Sequence, residues 1–223
     1  MRILVLIAGT NDPSNSATLA DVFCDGLHRT GATIDRIALK DLRIEHFTLA
    51  HYEKHHPEED DFRRIHAAFD SCDGFVIASP IWNFATPGHC KNLIDRIGVF
   101  GLDEQTRSKG QLGKKPFYIL FTGGTPMPVW KGLMEMTTSF VREAFRYFGA
   151  TYIGTYFEPK CVRGSGKFGL VVDRRPDSLL KVRSEGERFG KIVRTFAETG
   201  QLPAGRKVAG VLYKIGNAIV KRL

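Results

Sequence analysis

Cysteine is scarce in this chain and never clustered. Cys24, Cys72, Cys90 and Cys161 form no C-x-x-C pair, so zinc-ribbon and thioredoxin-type motifs lack their minimum pattern. Reduced, structural thiols are expected, with Cys90 close enough to a candidate site to be reactive. Long apolar runs are missing too. No stretch approaches the ~20 residues that span a bilayer. The run Ile3 to Ala8 is shorter than a signal-peptide core, and no small-residue cleavage site follows it. A cytoplasmic protein is expected. Acidic residues are absent from the last stretch, where Arg206, Lys207, Lys214, Lys221 and Arg222 supply five of the 32 basic side chains. Without those five, 27 basic residues face 24 acidic ones, so most of the formal charge of +8 belongs to a basic appendage. That distribution argues against a nucleic-acid surface over the body of the protein.

What is present suits one well-buried domain, at 223 residues and 43% hydrophobic content. The stretch Asp73 to Phe100 organises the rest. Phe75 to Ala78 is a continuous apolar run, as in a strand covered on both faces, and Ser79 and Pro80 stop it. Trp82 and Phe84 then fall in a loop at the carboxyl end of that strand, where open α/β sheets bind ligands. Thr86 and Pro87 read as an N-cap and first helical residue, ahead of an apolar face of Leu93, Ile94 and Ile97.

The amino terminus repeats the plan. Ile3 to Ile7 is a buried strand, GTNDPSNSAT a polar loop, and Leu19, Val22, Phe23 and Leu27 one face of a helix. A helix start offers unpaired amides and the positive end of a dipole to an anion, and Thr10, Ser14, Asn15, Ser16 and Thr18 can add side-chain donors. An ordinary N-cap with a polar lead-in accounts for the same residues.

Thr33 to Leu39 reads as an edge strand. The segment Lys40 to Asp61 contains His46, His51, His55 and His56 before an acidic run, Glu58 to Asp61. Its spacing matches no known ligand set, so a solvated loop without metal ligands is expected, leading into a helix on Phe62, Ile65 and Phe69. Phe117 to Phe121 is a fourth strand, ending in Thr122, Gly123 and Gly124, where glycine permits close backbone approach or a turn of positive φ. A long helix with Val129, Leu133, Met136, Phe140 and Phe148 on one face should follow, with Met127, Trp130 and Met134 in core or subunit contacts. Tyr152 to Phe157 makes a fifth strand, and Leu179, Val182, Phe189, Ile192, Val193 and Phe196 mark the last helix. The letters GSGKFG, 164–169, match a dinucleotide fingerprint, but Leu170, Val171, Val172 and Pro176 follow instead of a helix and strand, so a flexible loop is expected. Five strands alternating with helices predict an α/β fold, a doubly wound five-stranded parallel sheet in the order 2-1-3-4-5 with helices on both faces. The domain should run over 1–202. Residues 203–223 form a basic amphipathic tail that can lie on an anionic membrane surface or, preferably, pack on the domain or a partner subunit.

The run SPIWNFATPGHCKNLIDRI resembles the second flavin loop and following helix of the flavodoxin-like NAD(P)H-dependent FMN reductases. Pro80, an aromatic, Asn83, Pro87, Gly88, Lys91, Asn92 and Ile94-Asp95-Arg96 fall at that family's spacing. The resemblance implies FMN as cofactor, with its phosphate at Gly9, Thr10, Ser14, Asn15 and Ser16. It places the ring beside Pro80, Ile81, Trp82, Asn83 and Phe84, and over Thr122, Gly123 and Gly124. The first loop departs from the family by being one residue shorter and by carrying Asp12. Related iron-sulfur flavoproteins place cysteines before an Asp pair like Asp60-Asp61. The lack of cysteine between Cys24 and Cys72 excludes such a cluster.

The implied activity is an oxidoreductase passing electrons from NADH or NADPH, through FMN, to a quinone, flavin or other small acceptor. No separate catalytic residues are expected, because the flavin carries the chemistry. His89 could touch a substrate, and a homodimer is implied. The alternative is a flavodoxin-like electron carrier, which the +8 charge disfavours; a third reading is a flavin-free scaffold acting through its tail.

Overall fold

Side chains alternate across a strand, and in the buried strands of this protein both faces are apolar. Ile3, Val5 and Ile7 enter one core cluster and Leu4 and Leu6 the other. A computed structural model describes residues 1–164 and 169–203. The expected GSGKFG loop lies largely, and the basic tail almost wholly, outside the described residues.

The strands are β1 (Arg2–Ile7), β2 (Thr33–Ala38), β3 (Gly74–Pro80), β4 (Pro116–Thr122) and β5 (Thr151–Glu158). All pair in parallel, in the order β2-β1-β3-β4-β5. Helices α1 (Asn15–His28) and α6 (Pro176–Thr199) cover one face. On the other lie α2 (Asp60–Ser71), α3 (Gly88–Gly101), α4 (Met127–Val129) and α5 (Glu135–Tyr147). No helix among the described residues is long and apolar enough to cross a membrane.

Helices α1 and α6 touch backbone to backbone, which the apolar periodicity does not reveal. A Cβ on Gly26 would lie 2.1 Å from the Arg183 carbonyl oxygen, and one on Gly186 would lie 2.2 Å from that of Phe23. Neither neighbour can rotate away. Gly186→Val should therefore destabilise the chain by about 3 kcal/mol or more, because the helices must separate. Urea unfolding checks this, and a midpoint equal to that of the parent refutes the close crossing.

The chain between Trp130 and Met134 is π-helical, joining α4 to α5. This wider turn shifts the phase of the helix face. Trp130, Thr138, Val141, Phe145 and Phe148 are buried, whereas Val129, Leu133 and Met136, expected on the core face, are exposed. Trp130 stacks on Phe157 with ring centroids 4.5 Å apart, while Met127 and Met134 pack on the same cluster. The start of α3 also differs from expectation. Pro87 is the N-cap, and Thr86 is buried without capping the helix.

The segment before α2 is largely exposed, as expected, but it is also tied down. Arg96, 1% exposed, forks onto both carboxylate oxygens of Glu59 at 2.7 and 2.6 Å and lies 4.2 Å from the Phe62 ring centroid. Glu59 also accepts the Glu45 amide at 2.6 Å, and Asp61 accepts the Arg43 amide at 2.7 Å.

Candidate functional site

In this strand order the connections leaving β1 and β3 go to opposite faces of the sheet, so a crevice opens beyond their carboxyl ends. The crevice measures about 590 Å³ including its open mouth. Gly9, Asn11, Ser14, Asn15 and Ser16 line it from the loop after β1, and Pro80, Ile81 and Trp82 from β3 and its continuation. Thr122, Gly123 and Gly124 line it after β4, and Cys161, Val162 and Gly169 after β5. Most residues expected at the site thus share one cleft, although they lie far apart in the chain. Thr10, Asn83 and Phe84 do not line it and are exposed instead.

The first wall is a helix start. Ser14 caps α1, its Oγ accepting the Ala17 amide at 3.3 Å and lying 3.1 Å from Ser16 Oγ. The Asn15 and Ser16 amides, in the first turn, have no intrahelical acceptor. Gly9 leaves this corner open: a Cβ there would lie 2.3 Å from Ser16 Oγ and 2.5 Å from Ser14 Oγ. The side chains that the sequence nominated divide in two. Thr18 donates its hydroxyl to Ser14 O at 3.0 Å and is spent within the helix. Asn15 Nδ2 donates to Gly169 O at 2.9 Å, while its Oδ1 accepts the amides of Val171 and Val172 at 2.9 and 3.2 Å. The Asn15 side chain therefore clips the chain after β5 to α1, which leaves only its amide to meet an anion. Asp12 points outward, with its side chain 90% exposed and 3.9 Å from Lys40 Nζ.

The second wall is a two-residue hairpin. Trp82 and Ala85 exchange backbone hydrogen bonds of 2.8 and 3.0 Å, and the intervening Asn83 and Phe84 have φ of 47° and 71°. This is the type I′ pattern, which glycine normally fills. A left-handed phenylalanine costs about 1–2 kcal/mol. The turn is held from outside by the Thr137 hydroxyl, which donates to the Phe84 carbonyl at 2.5 Å. Trp82, 37% exposed, is left as an aromatic wall with one side in water. His89 Nε2 lies 2.8 Å from the Ala8 carbonyl, to which it donates, so it braces α3 against the end of β1.

The third wall depends on close approach. Gly123 and Gly124 are not at positive φ, which removes the turn explanation. A Cβ on Gly123 would instead lie 2.9 Å from the Phe157 ring. The Gly123 amide donates to Glu158 O at 3.0 Å, and its carbonyl accepts the Cys161 amide at 2.8 Å. Glu158 is buried and held by Arg175 Nη1 and the Tyr156 hydroxyl, both at 2.6 Å, and by Ser178 Oγ at 3.1 Å. Sequence reasoning missed the Glu158–Arg175 pair, because its members are seventeen positions apart with no motif between them.

Among the described residues, neither thiol in or near this cleft is poised as a nucleophile. Burial pushes the thiols of Cys90 and Cys161 up to about 12. That accords with the structural role expected of the cysteines and argues against reactivity at Cys90, despite its closeness to the site.

A parallel sheet in this order, with a switch-point crevice between an open helix start and an indole wall, belongs to the flavodoxin-like class of fold. Within that class the chain belongs to the NADPH-dependent FMN reductase family, whose model matches residues 1–157. It is 32% identical over 89 residues to the FMN-dependent NADH:quinone oxidoreductase of Coprothermobacter proteolyticus, covering 36% of this chain and 42% of that one. It is 28% identical over 126 residues to FMN-dependent NADH:quinone oxidoreductase 2 of Clostridium acetobutylicum, covering 54% and 61%. The chain thus spans about half the length of these curated relatives. Among solved structures it superposes on the NAD(P)H:quinone oxidoreductase of Methanothermobacter marburgensis with a TM-score of 0.69 at 19% identity, covering 84% of this chain and 96% of that one. That likeness supports the fold.

Proposed function

We propose that this chain holds FMN in the crevice and works as an NAD(P)H-dependent oxidoreductase that passes electrons to a quinone or another small acceptor. The observation carrying the proposal is the convergence, in one cleft, of an anion-ready corner, an aromatic wall and a glycine-lined floor. The residues fit the group. The Asn15 and Ser16 amides and the Ser14 and Ser16 hydroxyls would hold the phosphate without a cation, aided by the helix dipole. Trp82 would flank the ring, and Gly123 and Gly124 would let the backbone approach its edge. Bound FMN supplies the redox chemistry, so the chain's own tasks are to bind, orient and shield.

A homodimer fits the exposed Phe84 of the hairpin and the exposed Val129, Leu133 and Met136 around the π-helical segment. A cytoplasmic location fits four unpaired cysteines.

The deciding experiment mixes the FMN-loaded chain anaerobically with NADH or NADPH and then adds a quinone. Prompt bleaching of the flavin, followed by recovery of colour, is the expected result. Flavin uptake without bleaching identifies an electron carrier instead. A chain that takes up no FMN overturns the proposal.

A further inference from the structure

The histidine-rich loop holds more order than its composition suggests. A turn of 3-10 helix, Leu49–Tyr52, buries His51, and one ligand atom each from Glu45, His51 and His56 lies within 4.8 Å of the others. Linear spacing had pointed away from a metal site, because the short helical turn, not a recognisable motif, brings these groups together.

The independent observation is His51 Nε2. Its side chain is 3% exposed, yet this nitrogen has no hydrogen-bond partner, and its nearest charged neighbour, Glu45 Oε2, stands off at 3.9 Å. The other ring nitrogen is well served. Nδ1 lies 3.0 Å from both the amide nitrogen and the carbonyl oxygen of Thr48, so it is satisfied as acceptor or as donor. With its proton on Nδ1, donated to the Thr48 carbonyl, the ring keeps an unused lone pair on Nε2, 3.9 Å from Glu45 Oε2. Metal-binding histidines are oriented by this kind of second contact.

The other two groups are positioned as well. The Glu45 carbonyl accepts from Asn92 Nδ2 at 3.0 Å and from Arg96 Nη1 at 3.1 Å, which anchors its backbone to α3. The His56 ring lies 4.3 Å from that of His51, and its amide donates to Glu53 O at 3.1 Å.

We propose that Glu45, His51 and His56 bind a divalent transition-metal ion, with zinc the best match to two imidazoles and one carboxylate. An all-oxygen ion such as magnesium or calcium fits that donor set poorly. Three protein ligands leave a fourth position to water, and the bound ion would staple the loop to α3.

The test uses the full chain, stripped with a chelator and titrated at neutral pH with ZnCl2 in a calorimeter, and with Co²⁺ in a spectrophotometer. The expected result is about one ion per chain, with the strong visible bands of four-coordinate cobalt. Glu45→Gln and His56→Gln remove partly or fully exposed side chains, so both variants should fold, which circular dichroism verifies. Each should weaken zinc binding at least about tenfold, since loss of even an outer partner costs that much. A His46→Gln/His55→Gln double variant should bind as the parent does. Absence of zinc binding in the parent, unchanged affinity in both ligand variants, or loss of binding in the double variant overturns the proposal. None of these readouts depends on flavin.

Discussion

The Gly9→Val chain should bind FMN on the order of a hundredfold or more weakly than the parent, while its affinity for riboflavin changes little. The valine side chain would enter the space beside Ser14 and Ser16, where a Cβ alone already comes within 2.5 Å of both hydroxyls. Two hydrogen bonds to a charged phosphate are then lost, at about 1.5–3 kcal/mol each. The corresponding factor in Kd is roughly 10² to 10⁴. Riboflavin lacks the phosphate and so serves as the internal control. Calorimetry with both ligands separates a damaged anion corner from a damaged cleft. Equal losses for the two would mean that Gly9 supports the cleft generally, and an unchanged FMN affinity would place the phosphate elsewhere.

Glu59→Gln should cost about 3–5 kcal/mol of stability at neutral pH, because it leaves the Arg96 charge buried and uncompensated. For a protein of ordinary stability that is a large fraction of the total. Arg96→Met should cost less. Methionine keeps apolar contact with Phe62, while Glu59, with its side chain 19% exposed, can recover water. The pair also carries a pH signature. The Arg96 hydrogen bonds hold the Glu59 carboxyl down from 4.5 to about 2. A lowered folded-state value means that the stabilisation is present in full above about 4.5 and is lost as pH falls toward about 2. Urea midpoints measured across that window should fall more steeply for the parent than for Glu59→Gln. Parallel pH profiles, or a neutral-pH midpoint equal to the parent's, would show that Arg96 finds other compensation.

The strands, their order and the loops that meet at the crevice were legible in the chain because each rests on a local pattern. Apolar runs bounded by Gly, Pro and Ser mark β1, β3 and β4, and the alternation with helices leaves few ways to order a parallel sheet. Other features depend on which distant groups meet. Asn15 looked like an anion ligand because its neighbours are hydroxyls, but its side chain meets Gly169, Val171 and Val172. The acidic run before α2 looked solvated, yet Glu59 faces a buried arginine. The face Val129, Leu133 and Met136 followed helical periodicity, until one π-helical segment changed the phase.

By itself the sequence determined the doubly wound sheet and the three loops lining its crevice, since backbone preference and continuous apolar runs act over a few neighbouring residues. Only the tertiary structure decided which polar groups face the crevice, which are spent bracing it, and how Glu45, His51 and His56 come together. Those outcomes depend on burial and on partners remote in the chain, and no short-range pattern encodes either.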